Sequence, residues 1–489
     1  MRQLDVAQLE PRPTKWTQTP ISAKDNPRLR RVSGHCPFTP PFPQPLKNRA
    51  SLLKRFLLGS NSWIHTLFER SYTMKLGSLS LPRIKMFIVN ETALVSQIMD
   101  DGRGNHPKHG LLNDMLDPLL GKSVFSANGD EWADQRQMIN PAFAHTNLIR
   151  AFPAMVAATA ALLNRLGQAD LSQPIDIDPL MTHVTADIIF RTLFSLELDE
   201  AAGAAVYGAF NSYQKHAQRC TMLRLYGLPT WGSAGATKRA AAKVRAVFEP
   251  IIRHRLAAYQ AGQTDQKGDI LHGLMEARHP ATGAPFALGE LLDQVAVIFL
   301  AGHETSASAL SWTLYLLANS PVLQDELHEA IEAETAGGAL LPDHLRRLEP
   351  LRHVFKEALR LYPPVSFILR GVSAPTQLRD KLAVPGDLLV VSPWLIQRNE
   401  RIWRCPHSFD PERFARPEDA QAARDGWLPF GRGARVCVGA GFAQQEAMLV
   451  VAQILRTYRL SCSEGFQPGL VSRLTLRPKS GMRLRLSRR

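Results

Sequence analysis

Cysteine is scarce in this chain, and the spacing of the cysteines argues against structural roles that need several of them together. The 489 residues include five cysteines, which are far apart, odd in number and form no C-x-x-C pair. This arrangement argues against a disulfide framework or a zinc site and favours a reducing compartment. The five positions are Cys36, Cys220, Cys405, Cys437 and Cys462.

Long apolar runs are missing as well. The N-terminus has no hydrophobic segment typical of a secretory signal or an anchor. The most apolar stretch, residues 305–323, is diluted by polar residues and proline and falls short of the about 20 apolar residues that span a bilayer. We therefore expect a cytoplasmic protein without a transmembrane anchor.

The net charge of +14 is strongly basic but not concentrated in one tract. Such a balance suits an acidic partner or an anionic surface. No helix-turn-helix, zinc-finger or RNA-binding motif accompanies it, so we expect no nucleic acid partner. The basic, amphipathic residues 51–70 predict a helix that packs on the body, with peripheral contact to a membrane surface as the alternative.

Hydrophobic periodicity predicts one large, mainly α-helical domain with small β-sheets. Residues 1–48 are polar and rich in proline, which indicates a poorly ordered or surface-wrapped lead-in to a domain over residues 49–489. Helical spacing is clearest at residues 154–166 and 236–258, and strand-like patterns occur at residues 72–89, 388–391 and 474–486.

One short segment carries most of the functional information. The spacing Phe-x-x-Gly-x-Arg-x-Cys-x-Gly is formed by Phe430, Gly433, Arg435, Cys437 and Gly439. Each has a use if the sulfur binds a haem iron as a thiolate. The glycines permit backbone that a side chain would obstruct, the arginine pairs with a haem propionate, and the phenylalanine shields the sulfur from water. The alternative is a buried structural cysteine in a turn.

This segment resembles the haem-binding loop of the cytochrome P450 family. The resemblance covers roughly residues 132–446, with weaker support from residue 72 onward. It implies a single large domain, mainly α with small β-sheets, in which a long central helix lies over the haem. The implied cofactor is heme b, iron protoporphyrin IX, with Cys437 as the metal ligand.

A second motif lies in the middle of residues 288–320, which predict a helix long enough to cross a whole domain. Polar residues interrupt its apolar sequence, and buried polar groups need a partner or a purpose. The run resembles the oxygen-activating motif of the same family. That implies room for the flat cofactor at Ala301 and Gly302, a proton-delivering hydroxyl at Thr305, and a proton relay from solvent at Glu304. The alternative is a capping or back-bonded threonine in a core helix.

Further arginines fit the same resemblance. Trp132 and Arg136 lie four apart on a predicted helix that would meet a haem propionate, and Arg370 matches another propionate arginine. Together with Arg435 they would serve two carboxylates, which is sensible electrostatics. The resemblance also implies a buried structural triad that supports the cysteine loop, formed by Glu357, Arg360 and Arg413.

The implied function is a monooxygenase that inserts one oxygen atom from O2 into a hydrophobic small molecule. The sequence has no flavin or nicotinamide motif, so electrons would come from a separate ferredoxin or flavodoxin with its reductase. We expect this donor to meet a basic face near Lys356, Arg432 and Arg435. Residues 361–364 weakly resemble the fatty-acid-hydroxylating subset of the family, and fatty acids, terpenoids and aromatic compounds all remain open.

Three alternatives compete with this interpretation. A peroxygenase, or an isomerase or dehydratase of a hydroperoxide, would keep the haem but usually lacks the acid and threonine of the long helix. A haem-thiolate sensor or carrier would not need them. A basic binding protein without haem would explain neither motif.

Overall fold

The computed structural model describes residues 38–81, 83–101, 104–263 and 268–489. Within these ranges helices dominate and strands are short, as the sequence predicts. The α-helices are α1 (Leu52–Gly59), α2 (Thr92–Met99), α3 (Gly110–Leu120), α4 (Gly129–Ile139), α5 (His145–Gln168), α6 (Ile177–Phe194), α7 (Glu200–Leu225), α8 (Trp231–Gln260), α9 (Ile270–Glu276), α10 (Leu288–Ala318), α11 (Pro321–Thr335), α12 (Pro342–Arg347), α13 (Glu349–Leu361), α14 (Pro393–Ile396), α15 (Ala420–Gly426) and α16 (Ala440–Thr457). The strands are β1 (Leu76–Leu81), β2 (Ile84–Val89), β3 (Ile175–Asp176), β4 (Ile368–Arg370), β5 (Thr376–Leu378), β6 (Lys381–Ala383), β7 (Leu388–Val391), β8 (Tyr458–Cys462), β9 (Leu470–Ser472), β10 (Leu476–Pro478) and β11 (Arg483–Arg488).

Helix α10 forms the centre of the fold, and its prediction from the sequence is confirmed. Almost all of its residues after the first turn are buried, and it packs against α6, α8, α13 and α16. Outside the polar motif its sequence is apolar on every side, so no face is suited to water. The helix ends at Ala318, where the Asn319 side chain donates a hydrogen bond to the Tyr315 carbonyl at 2.8 Å.

Two small sheets lie beside the helical body. The larger has the order β1-β2-β7-β4, in which β1 and β2 form an antiparallel hairpin and β7 runs parallel to β2. The other joins β3, β11 and β8. The strand predictions at residues 72–89, 388–391 and 474–486 are confirmed, because β1, β2, β7, β10 and β11 fall within or across them. Two-stranded pairs β9–β10 and β5–β6 complete the described strands.

The two predicted alanine-rich helices are present inside longer ones. Residues 154–166 belong to α5 and residues 236–258 to α8, which continues through Pro250 without being divided. By length and composition alone, α5 could span a membrane. Its apolar window is 28% buried, and the helix packs against α6 and α16.

The basic segment 51–70 is only partly helical. It forms α1 and then two short 3-10 turns, Trp63–Thr66 and Glu69–Tyr72. The interruption follows from residues 59–62, Gly-Ser-Asn-Ser, which favour turns over helix. The α1 helix packs beside the end of α7, where the Phe56 and Tyr226 rings lie 5.1 Å apart.

The described end of the lead-in lies against the body of the protein. The Phe409 N–H donates to the Phe38 carbonyl at 2.8 Å, and the Tyr362 hydroxyl donates to the Pro41 carbonyl at 2.7 Å. Residues 38–46 are therefore surface-wrapped, and residues 1–37 of the predicted lead-in lie outside the described residues. The cysteine prediction needs a correction, because Cys405 is disulfide-bonded. Cys220, Cys437 and Cys462 are free thiols.

Candidate active site

The Cys437 loop connects a short 3-10 turn, Gly433–Arg435, to the start of α16. The Cys437 N–H donates to the Phe430 carbonyl at 2.9 Å, which closes the loop. Gly433 has φ 71°, and a Cβ there would lie 2.1 Å from the Met99 carbonyl oxygen, so a side chain is excluded. Gly439 has a negative φ, and a Cβ would meet only Phe143 at 3.8 Å. A side chain was predicted to clash at both glycines, and a clash with other protein atoms is found only at Gly433.

Cys437 is accessible because it lines a cavity, although protein atoms surround that cavity. Burial raises the pKa of the Cys437 thiol, while the Gly439 backbone N–H and the Arg136 charge act in the opposite direction. The loop also precedes the N-terminus of α16, whose partial positive charge favours a thiolate. The protein alone thus leaves the pKa above its ordinary value, and a bound cation would be needed to hold the thiolate.

The cavity has a volume of about 800 Å³ and extends from the Cys437 loop along α10. Its wall is largely apolar, with leucine, isoleucine, valine, methionine and phenylalanine side chains from many elements. A cavity of this size encloses a drug-sized molecule or a flat cofactor with a substrate. Phe430 contributes to the wall, and its ring packs edge-on against Trp427 with centroids 5.8 Å apart.

Four cations line the cavity near the cysteine loop: Lys108, Arg136, Arg370 and Arg435. None of them pairs with a carboxylate in the described part of the chain. Burial, followed by the charges of the three arginines, lowers the pKa of Lys108 to about 6. Burial and Arg435 lower the pKa of Arg370 to about 10, and burial lowers that of Arg435 to about 10. The cluster is therefore poised to accept negative charge.

Hydrogen bonds and ring contacts fix these cations. Arg435 donates to the Ala127 carbonyl at 3.1 Å and lies over the Trp132 ring, 4.3 Å from its centroid. Arg136 donates to the Val436 carbonyl at 2.8 Å, which joins α4 to the cysteine loop. The sequence-predicted residues on α4, on β4 and in the loop are thus brought together.

Lys108 belongs to this cluster although the sequence did not single it out. Its ammonium donates to the Val124 carbonyl at 2.8 Å, and its backbone forms an isolated bridge with Arg370. In the sequence Lys108 lies among the polar residues Asn105, His106 and His109, and this local pattern gives no signal of a cation that faces a cavity.

This set of residues fits a haem. A thiol that faces an apolar cavity suits an iron ligand, and four cations without carboxylates suit the two propionates of a flat apolar ring. Cys437 would hold the iron, and Lys108, Arg136, Arg370 and Arg435 would hold the propionates. When bound, the haem supplies the O2 chemistry that a thiolate ligand favours.

The α10 motif borders the same cavity. The Thr305 hydroxyl donates to the Ala301 carbonyl at 2.5 Å, and both residues line the cavity together with Gly302. The threonine is thus back-bonded as the structural alternative predicted, yet it also faces the site. The helix continues through the motif without a local opening. A Cβ on Gly302 would lie 3.1 Å from the Ile189 side chain, so this glycine also allows α6 to approach α10.

Glu304 lies at the edge of the cavity and is buried in a polar network. It accepts hydrogen bonds from Gln214 at 2.9 Å and from Thr475 at 2.8 Å, and Arg477 lies 3.9 Å away. Burial would raise the pKa of Glu304, but the charges of Arg477 and His303 and these hydrogen bonds outweigh it and lower the pKa. The carboxylate is therefore anionic at neutral pH.

Arg477 is buried, which the sequence pattern did not predict. It opens an arginine-rich C-terminal run, which reads as a surface cluster, but the side chain is only 8% exposed. It donates to Asp178 at 3.0 Å and to Thr182 at 2.6 Å, and so ties β10 to α6.

The predicted triad is fully buried and supports the loop region. Arg360 forms two hydrogen bonds with Glu357, at 2.7 and 2.8 Å, and Arg413 donates to the same carboxylate at 3.1 Å. Arg360 also donates to the Gln397 and Pro406 carbonyls at 2.7 and 2.6 Å. The triad thereby joins α13 to the segment that leads to Cys437.

The predicted basic face is less uniform than the sequence indicates. Arg435 lines the cavity, and Arg432 pairs with Asp100 at 2.8 Å. Lys356 is half-buried over the Phe414 ring, 5.6 Å from its centroid, and burial lowers its pKa. Only part of the expected positive charge is thus presented outward.

The fold and the site together are those expected of an enzyme that binds haem. The family description "Cytochrome P450" matches residues 40–484, so the chain belongs to the cytochrome P450 family. The fold class predicted from the sequence is confirmed by a solved cytochrome P450DA heme domain, with a TM-score of 0.76 and 22% identity over 92% of this chain and 98% of that chain.

Curated relatives agree with a monooxygenase. The chain is 33% identical to cyclooctat-9-en-7-ol 5-monooxygenase of Streptomyces melanosporofaciens, over 70% of this chain and 73% of that protein. It is 28% identical to a cytokinin hydroxylase of Arabidopsis thaliana, over 81% and 77%. It is 29% identical to human cytochrome P450 4A11, over 79% and 77%. This chain is accordingly an oxidoreductase of the monooxygenase class that uses haem.

Proposed function

We propose that the protein hydroxylates a hydrophobic organic substrate with one oxygen atom of O2, using heme b and electrons from a separate protein. The observation that carries this proposal is the Cys437 thiol, which faces an apolar cavity beside four cations and the Thr305 hydroxyl. The names of two relatives specify small organic molecules as substrates, cyclooctat-9-en-7-ol and a cytokinin, which supports a small-molecule substrate here.

The protein groups would act by binding, shielding and proton transfer. The apolar wall excludes water and holds the substrate, and the four cations orient the cofactor. The Thr305 hydroxyl holds and passes protons at the reacting side of the cavity. Glu304 brings them from solvent, and its anionic state and contacts with Gln214 and Thr475 support that task.

The proposed electron donor is a ferredoxin or flavodoxin with its reductase, because the sequence has no flavin or nicotinamide motif of its own. It would meet the outward part of the basic surface at Lys356 and Arg432. The proposed location is the cytoplasm, with peripheral membrane contact through α1 as the alternative. An intact Glu304–Thr305 pair favours oxygen activation over peroxygenase, isomerase or sensor functions.

A spectroscopic experiment tests this proposal. In the dithionite-reduced protein, addition of carbon monoxide should give the red-shifted Soret band of a thiolate-ligated haem. The Cys437→Ser variant should lose that band because a hydroxyl cannot supply the thiolate. The matched control is Cys462→Ser, which changes a free cysteine that does not line the cavity. A band that persists in Cys437→Ser would contradict the assigned ligand.

A further inference from the structure

Three arginines line the cavity apart from the four cations already described. Arg55, Arg70 and Arg473 belong to its wall, although that wall is otherwise mostly apolar. None of them forms an ion pair with a carboxylate of the described residues. Arg70 is exposed to solvent, whereas Arg55 and Arg473 are partly buried without an anion, and their partial burial carries a desolvation cost.

The three arginines belong to elements around the 3-10 turn Trp63–Thr66. Arg55 is on α1 and Arg473 directly follows β9, and both elements pack against the 3-10 turn Trp63–Thr66. The Ser472 N–H donates to the Ser62 hydroxyl at 2.9 Å, which fixes Arg473 beside this turn. Arg70 is brought close because its guanidinium lies 5.2 Å from the same Phe68 ring that Arg55 approaches at 5.2 Å.

The burial of these side chains and their lack of hydrogen-bond acceptors suit an anionic ligand. The Nε atoms of Arg55 and Arg473 are buried, and neither has a hydrogen-bond acceptor. Burial lowers the pKa of both groups, and the Arg70 charge lowers that of Arg55 further despite an opposing effect of Tyr226. A ligand carboxylate would supply the acceptors and offset the desolvation cost.

A purely structural role explains only part of the cluster. Arg55 and Arg70 flank the Phe68 ring, and such cation–π contacts can hold an arginine in place. Arg473 has no ring contact of this kind and no carboxylate among the residues described. A ring contact or an ion pair therefore does not account for its position at the cavity wall.

We propose that the natural substrate is a hydrophobic carboxylic acid whose carboxylate binds Arg473 and Arg55. Its apolar body fills the cavity toward Thr305 and Cys437, so oxidation takes place at a carbon remote from the carboxylate. The cavity volume of about 800 Å³ accommodates such a molecule beside the cofactor. This inference rests on the proposed monooxygenase function.

Optical titration of the haem-loaded protein tests it. The probes are the straight-chain acids from octanoic to octadecanoic acid and the diterpenoid abietic acid, each compared with its methyl ester. Binding is read from the shift of the Soret band that accompanies the change of iron spin state. We expect at least one acid to bind roughly tenfold or more tightly than its ester, because a buried charge-assisted hydrogen bond is lost in the ester. If every ester binds as tightly as its acid, the proposal is overturned.

Variants assign the effect to the cluster. Arg473→Leu and Arg55→Leu should each weaken acid binding by roughly tenfold or more and leave ester binding nearly unchanged. The matched control is Arg83→Leu, because Arg83 is an exposed arginine outside the cavity wall. Equal losses for acid and ester would indicate a structural role and overturn the assignment.

The carbon monoxide spectrum of each variant separates this inference from the function on which it rests. A normal thiolate band together with no preference for acids rejects only the substrate class. The lack of a thiolate band in the unmodified protein rejects the monooxygenase function itself.

Discussion

Neutralising Glu357 should destabilise the protein far more than neutralising an exposed glutamate. The Glu357 carboxylate accepts four hydrogen bonds, from Arg360 twice, from Arg413 once and from the Asp410 N–H at 2.9 Å. Glu357 and Arg360 are 0% exposed and Arg413 is 1% exposed, so no water can replace these partners. In Glu357→Gln, two arginines keep their charges without the anion between them.

The magnitude follows from that burial. Removal of one partner of a buried ion pair costs about 3–5 kcal/mol, against a total stability of about 5–15 kcal/mol for a typical domain. The control is Glu249→Gln, which breaks a helical pair with Arg253 whose side chains are 41% and 61% exposed. An exposed pair of that spacing contributes only about 0.3–0.5 kcal/mol.

Urea titration provides the assay, with unfolding followed by far-ultraviolet circular dichroism and haem release by the Soret band. We expect the free energy of unfolding to fall by several kcal/mol in Glu357→Gln and to change little in Glu249→Gln. If Glu357→Gln yields no soluble protein, Arg413→Lys provides a milder test, since it keeps the charge but loses the planar fork. Equal stability of the Glu357 and Glu249 variants would refute the reasoning.

Two further predictions concern buried groups near the site. Burial raises the pKa of Glu446 from its ordinary value of 4.5 to about 8 in the folded protein. Between these two pH values the folded protein holds a proton on Glu446 that the unfolded chain has lost. The free energy of unfolding therefore falls as the pH rises through this window. The free energy of unfolding of Glu446→Gln, relative to that of the unmodified protein, should therefore rise by up to about 1.4 kcal/mol per pH unit across this window. A difference in urea titrations that does not change with pH would contradict this prediction. For Lys108 the sign is opposite, because its lowered pKa of about 6 means that the unfolded chain binds more protons above that pH. The free energy of unfolding of the haem-free protein should thus increase as the pH rises above about 6. Lys108→Met or haem binding should weaken this pH dependence. If the free energy of unfolding of Lys108→Met changes with pH as steeply as that of the unmodified protein, Lys108 is not the cause of the dependence.

Local sequence patterns were sufficient for the central features of the fold. The spacing around Cys437 predicted a glycine-rich loop, and the apolar run of α10 predicted a buried helix, because each signal lies in one continuous stretch of sequence. The strand character of β1 and β2 followed from alternation in the same way, whereas their pairing as a hairpin was not predicted. These predictions needed no knowledge of what packs against each element.

Features that depend on distant partners could not be predicted. Arg477 reads as one arginine in a surface run, and only its contacts with Asp178 and Glu304 show that it is buried. Lys108 gains its role from arginines on three other segments. The bond formed by Cys405 likewise has no local signature, since connectivity cannot be deduced from spacing alone.

The cysteine loop is held by contacts between residues that are far apart in the chain. Arg136 and Val436 are separated by 300 positions, Arg435 and Ala127 by 308, and Arg432 and Asp100 by 332. Closing loops of this length costs conformational entropy before any contact is gained. During synthesis the part of the haem site formed by residues 100–136 therefore stays incomplete until nearly all of the chain has been made. The protein that can bind haem is, in consequence, one of the last forms to appear on its folding pathway.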